Sequence, residues 1–481
     1  MHRVEREARM DAFMRESDAF SWYMERDPAL RSTVVAVAFL DHSPDWEALC
    51  ARVDEATRLV PIFRKRVVEL PKRLGTPRWT VDDAFDLHWH LRRIDAPAPH
   101  SPATVIEYAA RQATTPFDPA RPPWEITLVE GLEHEGAALV MKVHHALTDG
   151  VGGMELLLLL FDRQRHAHLG TAPPEAPAPE RADPATLVRE SATWRARQLW
   201  ALLDRRARAA VPSALHAATH PLAAAAGAAQ TWRSILRTVA PINETLSPVM
   251  VGRGIGRAFD VLEADLEDVR RAGAVAGGTV NDAFLASVAG GLRRYHERHG
   301  SPVDALRVTL PISIRRPGDP MGGNRITLMR FAVPVWETRP ERRVAEAGRL
   351  CQRARGERSL AFTNVIAGTL NLLPARVVRD ILKRVDFLTS DLPGFPFPVY
   401  LAGAGVERLV AFGPTVGTAV NVLLLSYNGR CAIGVSMDST AVDDPAVLVD
   451  CLREGFEEVL ALGGAHSPVR SPWHERTTVR T

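Results

Sequence analysis

The chain has 481 residues, a net charge of +2, and hydrophobic and charged fractions of 46% and 24%. That length exceeds what one hydrophobic core usually organises, so two domains are expected, with the composition of a globular protein and too little net charge to suggest a nucleic-acid partner. Four dispersed cysteines (Cys50, Cys351, Cys431 and Cys451) form no CxxC pair, which argues against a zinc ribbon, a thioredoxin-type site or a disulfide scaffold.

The N-terminal segment "MHRVEREARMDAFMRESDAF" has no apolar run of signal-peptide length, and "MELLLLLF" (154–161) is too short to span a bilayer, so a cytoplasmic protein is expected. "STVVAVAFL" (32–40) reads as a buried strand, and "DWEALCARVDEATRLVPIFRKRVV" follows with helical spacing before loops rich in proline and aspartate. "EITLVEGL" (125–132) and "GAALVMKVHHAL" (136–147) read as a hairpin pair, after which "GGMELLLLLFDRQ" resumes as a helix. A Pro/Ala/Glu linker starts at Thr171 and introduces "SATWRARQLWALLDRRARAAV", an amphipathic basic stretch. Two readings of that stretch stand side by side: a helix on a membrane or lipid-droplet surface, or a crossover helix packed on a domain with its arginines solvated. A second α/β segment begins near Arg253. It holds a helix with Val280, Phe284, Leu285, Val288, Leu292 and Tyr295 on one side, strands at 305–315 and 325–335, a hairpin at Asn428-Gly429, and a closing helix. The expected division is 1–170, a linker with crossover helices over 171–250, and 251–470.

The chemistry concentrates in "LVMKVHHALTDGVGG" (139–153). Side chains alternate along a strand, so a strand continuing through the pair sends His144 and His145 to opposite faces, and both cannot meet at one metal ion. One imidazole is then left for chemistry and the other for geometry. A neutral imidazole is a suitable general base near neutral pH. No GxSxG elbow or reactive cysteine offers a nucleophile, so attack by an alcohol on an activated acyl donor is the simpler scheme. Asp149 orients an imidazole or pairs with an arginine, and Gly150 permits the tight turn.

"HHALTDG" resembles the HHxxxDG motif of CoA-dependent acyltransferases and peptide-synthetase condensation domains. Across nearly its whole length the chain resembles the bacterial wax ester synthase/diacylglycerol acyltransferase family, through "RESDAFSW", "FDPARPPWEITLVEGL", "TVNDAFLASVAGGLRRY", "LPISIR", "GGNRIT", "TSDLPGFPFPVYLAGA" and "LLLSYNG". The resemblance implies two chloramphenicol-acetyltransferase-like α/β domains with mixed sheets and an active-site channel between them. It implies that His145 is the base, with His144 supporting and Asp149 structural. Asn281 is the oxyanion candidate it suggests, although Thr279 and Asp282 also spell a helix cap, the more expected role for Asp282. Trp124 stands where the family has Pro-Leu-Trp, here with Pro123 in the middle, and either shapes the channel or packs the core. Arg315 would pair with Asp149 or with a CoA phosphate. Asp391 replaces an asparagine usual in the family.

The expected activity is O-acyl transfer from acyl-CoA to diacylglycerol or a long-chain alcohol, with acyl-CoA as co-substrate, no metal or other cofactor, and no covalent intermediate. The alternatives are acylation of a natural-product hydroxyl from a carrier protein, or a non-catalytic condensation-like binding domain.

Overall fold

A computed structural model describes residues 12–70, 76–165, 174–180, 185–198, 200, 204, 244–313, 326–356, 377, 384–465 and 467–472. The first part of the chain contributes α1 (Glu16–Met24), β1 (Thr33–Leu40), α2 (Trp46–Leu59), β2 (Lys65–Val68), β3 (Arg78–Val81), β4 (Leu91–Asp95), α3 (Pro102–Thr114), β5 (Trp124–Glu130), β6 (Ala137–His144) and α4 (Gly150–Leu160). The later part begins with β7 (Arg257–Asp265), α5 (Leu266–Val275), α6 (Val280–Arg298), β8 (Ala305–Ser313), β9 (Ile326–Pro334) and α7 (Pro340–Arg355). It ends with β10 (Phe387–Leu392), β11 (Tyr400–Leu401), β12 (Ala404–Phe412), β13 (Val420–Tyr427), β14 (Arg430–Asp438) and α8 (Pro445–Leu460).

These strands form two six-stranded sheets, ordered β11-β12-β1-β6-β5-β4 and β7-β14-β13-β10-β8-β9, beside the small β2-β3 ladder. Both large sheets are mixed. β4 and β5 run parallel in the first, and β10 runs parallel to β13 and β8 in the second. The predicted hairpins are present. β5 and β6 pair antiparallel, and so do β13 and β14, joined by Asn428 and Gly429 at φ +46° and +80°, the left-handed pair a type I′ turn requires.

Alternation divides the first sheet into two buried faces. Val35, Val37, Ala138 and Val140 pack with Val105, Ile106 and Ala109 of α3. Ala38, Leu128, Leu139 and Met141 pack on the other side with Leu49 and Val53 of α2. In the second sheet, α6 is buried along most of its length, as its apolar side predicts. Helices α6 and α8 touch there through backbone. A Cβ on Gly291 would lie 2.6 Å from the Leu452 Cα, and one on Gly455 would lie 2.5 Å from the Ser287 carbonyl oxygen.

β11 and β12 lie late in the sequence, yet they complete the first sheet, with β12 antiparallel to β1. The sheets are further joined where Phe259 of β7 stacks on Phe412 of β12, ring centroids 4.1 Å apart. The Tyr427 hydroxyl on β13 accepts the Val399 N–H at 3.0 Å and donates to the Val406 carbonyl at 2.8 Å.

Two local expectations are corrected. The helical stretch predicted as far as Val68 stops at Leu59, because Pro61 opens a short 3-10 turn and β2 follows. The region expected to be loop between β2 and β5 holds β3, β4 and α3. The punctuation that suggested a loop, Pro102, sits in the first turn of α3, where a missing N–H costs nothing.

Candidate active site

β6 ends at His144, and the chain turns at once. The His145 N–H donates to the Ser32 carbonyl at 2.8 Å, and the Leu147 N–H donates to the His144 carbonyl at 2.9 Å. This places the histidine pair at the predicted junction of strand and helix. The two imidazoles have different surroundings.

The His144 ring is fully buried. Its Nδ1 accepts the Ala146 N–H at 3.0 Å, so the ring proton resides on Nε2 in the neutral form. Nε2 lies 3.4 Å from Glu25 Oε2. Trp22 and Phe117 meet the ring edge-on, with centroids at 5.3 and 5.9 Å. These contacts fit a structural pin.

His145 lies deep in the fold but keeps part of its surface open. Its Nδ1 is buried with no hydrogen-bond partner in another of the described residues, which leaves Nε2 as the nitrogen that could meet a reactant. Burial holds its pKa below the ordinary histidine value, against the opposing pull of its own main-chain carbonyl and of Asp149; His144 adds to the lowering. The ring is therefore neutral at neutral pH, the state a base requires. If His145 is the base, its protonation silences it, so the acid limb of kcat/KM is expected to lie below the ordinary histidine value of 6.5. A pH–rate profile checks this, and an acid limb above pH 7 would contradict it.

Asp149 is buried and caps α4, its carboxylate accepting the Gly152 N–H at 2.8 Å, while Gly150 opens that helix. Trp124, the first residue of β5, is also buried. Its indole Nε1 donates to the Phe63 carbonyl at 2.7 Å, and its ring stacks on His90 at 4.4 Å. The His90 Nδ1–H donates to the Trp124 carbonyl at 2.8 Å, and burial pushes the His90 pKa down to about 4.

An apolar cavity of about 150 Å³ lies between the first sheet and helices α2 and α4. Val53 and Ala56 line one side, and Leu157 and Leu160 another. Leu392 and Leu425 of the second sheet complete the wall, so both sheets contribute. His144, Thr148 and Asp149 form its polar end, and Trp124 lines it as well; His145 itself is not among the lining residues. Trp124 is thus both a buried residue and a lining residue of this cavity.

Asn281 and Asp282 lie elsewhere. Asp282 closes a capping box, its carboxylate accepting the Thr279 N–H at 2.9 Å and hydroxyl at 2.8 Å. Asn281 donates from Nδ2 to the Cys351 sulfur at 3.4 Å. Neither lines the cavity. Arg315 lies outside the described residues, as does much of the basic amphipathic stretch. Of that stretch's described part, residues 191–198 are helical, and the Trp194 ring sits 5.5 Å from that of Phe13. Asp391 neighbours Leu392 on β10, and desolvation pushes its carboxyl up to about 6, with Arg355 opposing. A carboxyl that holds its proton to that pH can donate as an asparagine amide does. Glu25, His90 and Thr148 escaped sequence reasoning. Only the helix–turn–strand packing brings Glu25 next to a histidine more than a hundred positions away.

The two mixed sheets, with a histidine-bearing turn after a central strand of the first, make up a fold shared with a wax ester synthase/diacylglycerol acyltransferase and with condensation domains. The structure superposes on the wax ester synthase/diacylglycerol acyltransferase of Marinobacter aquaeolei VT8 with a TM-score of 0.60, 20% identity, and coverage of 94% of this chain and 100% of that one. It also superposes on the first condensation domain of the calcium-dependent antibiotic synthetase, with a TM-score of 0.60, 14% identity, and coverage of 95% and 97%. Residues 14–284 match the wax ester synthase/diacylglycerol acyltransferase catalytic domain, and residues 322–459 match the C-terminal domain of the same family. The chain therefore belongs to the wax ester synthase/diacylglycerol acyltransferase family and is an acyltransferase. A Mycobacterium tuberculosis protein whose name assigns it diacylglycerol O-acyltransferase activity is 34% identical over 448 residues, covering 92% of this chain and 91% of that protein. A second such protein of that organism is 29% identical over 94% of this chain and 97% of its own length.

Proposed function

We propose that the chain transfers a fatty acyl group from acyl-CoA to the hydroxyl of diacylglycerol or a long-chain alcohol, with His145 as general base. The observation that carries this reading is a neutral, partly accessible imidazole on the same turn as His144, Thr148 and Asp149, which form the polar end of a cavity walled almost wholly by hydrocarbon, in a chain of this family. His145 Nε2 takes the hydroxyl proton as the oxygen attacks the thioester carbon. The tetrahedral intermediate collapses, the C–S bond breaks, and the imidazolium returns its proton to the thiolate, giving ester and free CoA. Thiolate is a good leaving group because thiols ionise far more readily than alcohols. No protein nucleophile enters the scheme.

The cavity takes the hydrocarbon chain of one substrate. The lipid acceptor is insoluble in water, so the enzyme collects it peripherally at a lipid surface; among the described residues no helix is long and apolar enough to cross a membrane. The test is a panel of acyl-CoA donors against alcohols and vesicle-borne diacylglycerol, with products read by mass spectrometry. Triacylglycerol or wax ester is the expected product. Turnover of carrier-bound donors and small hydroxylated molecules alone would point instead to natural-product acylation, and no turnover at all would point to a binding domain.

Ala56→Phe checks the cavity. It is expected to slow long-chain members of one substrate series about tenfold while sparing short-chain members. Varying donor and acceptor lengths separately identifies which chain enters, and unchanged preference in both series would exclude the cavity.

A further inference from the structure

We infer that Glu25 is a positioning residue for the acyl transfer, clamping the two backbone segments that flank His145. The inference rests on His145 acting as the base. Glu25 follows the last residue of α1, and its Oε2 accepts the Ser32 N–H at 3.1 Å. The Ser32 carbonyl in turn accepts the His145 N–H at 2.8 Å. The same Oε2 faces His144 Nε2 at 3.4 Å, while His144 Nδ1 accepts the Ala146 N–H at 3.0 Å. A single carboxylate oxygen thereby closes a circuit through Ser32, His145, Ala146 and the His144 ring, holding the main chain on both sides of the catalytic imidazole.

Two features make the arrangement more than packing. First, the Nδ1 contact is possible only while His144 keeps its proton on Nε2, and a negative oxygen facing Nε2 favours that tautomer. The 3.4 Å leg is beyond ordinary hydrogen-bond geometry, so it acts through charge. Second, the circuit is shielded. The His144 ring is fully buried, and Trp22, from the same helix that delivers Glu25, meets its edge. Arg31 Nε lies 3.6 Å from the other Glu25 oxygen and steadies the carboxylate. If the tautomer reverses, Nδ1 presents a proton to the Ala146 N–H, the turn loses its closing bond, and His145 swings from its line of approach.

The test compares Glu25→Ala, Glu25→Gln and Glu25→Asp with the unaltered chain for kcat, KM of donor and acceptor, and thermal unfolding. The expected result for Glu25→Ala is a kcat lower by about 100-fold, the scale of a misplaced catalytic group. Both KM values should stay within about threefold, because the base moves while the substrate walls remain. Glu25→Gln should resemble Glu25→Ala, and Glu25→Asp should recover part of the loss, since it keeps the charge at shorter reach. Wild-type kcat in folded Glu25→Ala or Glu25→Gln would overturn the proposal. So would failure of all three variants to fold, which would make Glu25 a folding residue only. His145→Ala, measured with Glu25 intact, separates the two readings. Activity retained there defeats the base assignment itself, whereas activity lost there but kept in the Glu25 variants defeats only the clamp.

Discussion

His145→Ala is expected to lower kcat by about a thousandfold, within the range a positioned general base contributes. The ring supplies the only step in the scheme that makes the alcohol oxygen nucleophilic, and among the residues lining the cavity none is placed to replace it. Asp149 spends its carboxylate on the Gly152 N–H, and His144 Nδ1 is occupied by the Ala146 N–H. The variant should fold normally, because among the described residues the buried His145 Nδ1 has no hydrogen-bond partner in another residue and the main-chain bond to Ser32 survives substitution. Single-turnover transfer from a long-chain acyl-CoA, with thermal unfolding alongside, decides the matter. More than a tenth of the wild-type rate in a folded variant would remove His145 from the mechanism.

Gly455→Ala is expected to destabilise the chain by about 3 kcal/mol, the upper part of the range for overpacking a core. Helix propensity alone predicts the opposite sign, since alanine is favoured over glycine by about 1 kcal/mol in a helix interior. Packing wins because the added methyl would sit 2.5 Å from the Ser287 carbonyl oxygen and 2.8 Å from the Gly291 Cα, both backbone atoms of α6 that cannot rotate aside. Helices α6 and α8 would have to separate, and with them the core formed by Phe284, Val288, Leu452 and Phe456. The denaturant midpoint measures the outcome, and an unchanged or raised midpoint would show that the helices part at little cost.

What sequence reading recovered, and what it missed, follows the range of the interactions. β1, β6 and the Asn428-Gly429 hairpin were legible because period-two patterning and turn chemistry are local. The capping box at Thr279 and Asp282 was legible for the same reason, four adjacent positions carrying the whole signal. β12 was not recognised as a partner for β1, because "AGVERLVAF" states its strand propensity without stating which strand it joins. Strand alternation through the pair does not apply, because β6 ends at His144 and the chain turns there; the histidine motif did locate that turn. It did not disclose the Glu25 contact, which depends on how α1 enters the first strand, nor the cavity, which needs residues from both sheets.

The late arrival of β12 also governs how the polypeptide can be divided. In the first sheet β1 is an interior strand, bonded to β6 on one side and to β12 on the other. A fragment ending before the second half would leave "TVVAVAFL" as an open border with free N–H and C=O groups along an apolar ribbon, the usual template for intermolecular pairing. Nascent chains pass through that condition during synthesis, so the amino-terminal half needs shelter until residues beyond 400 emerge.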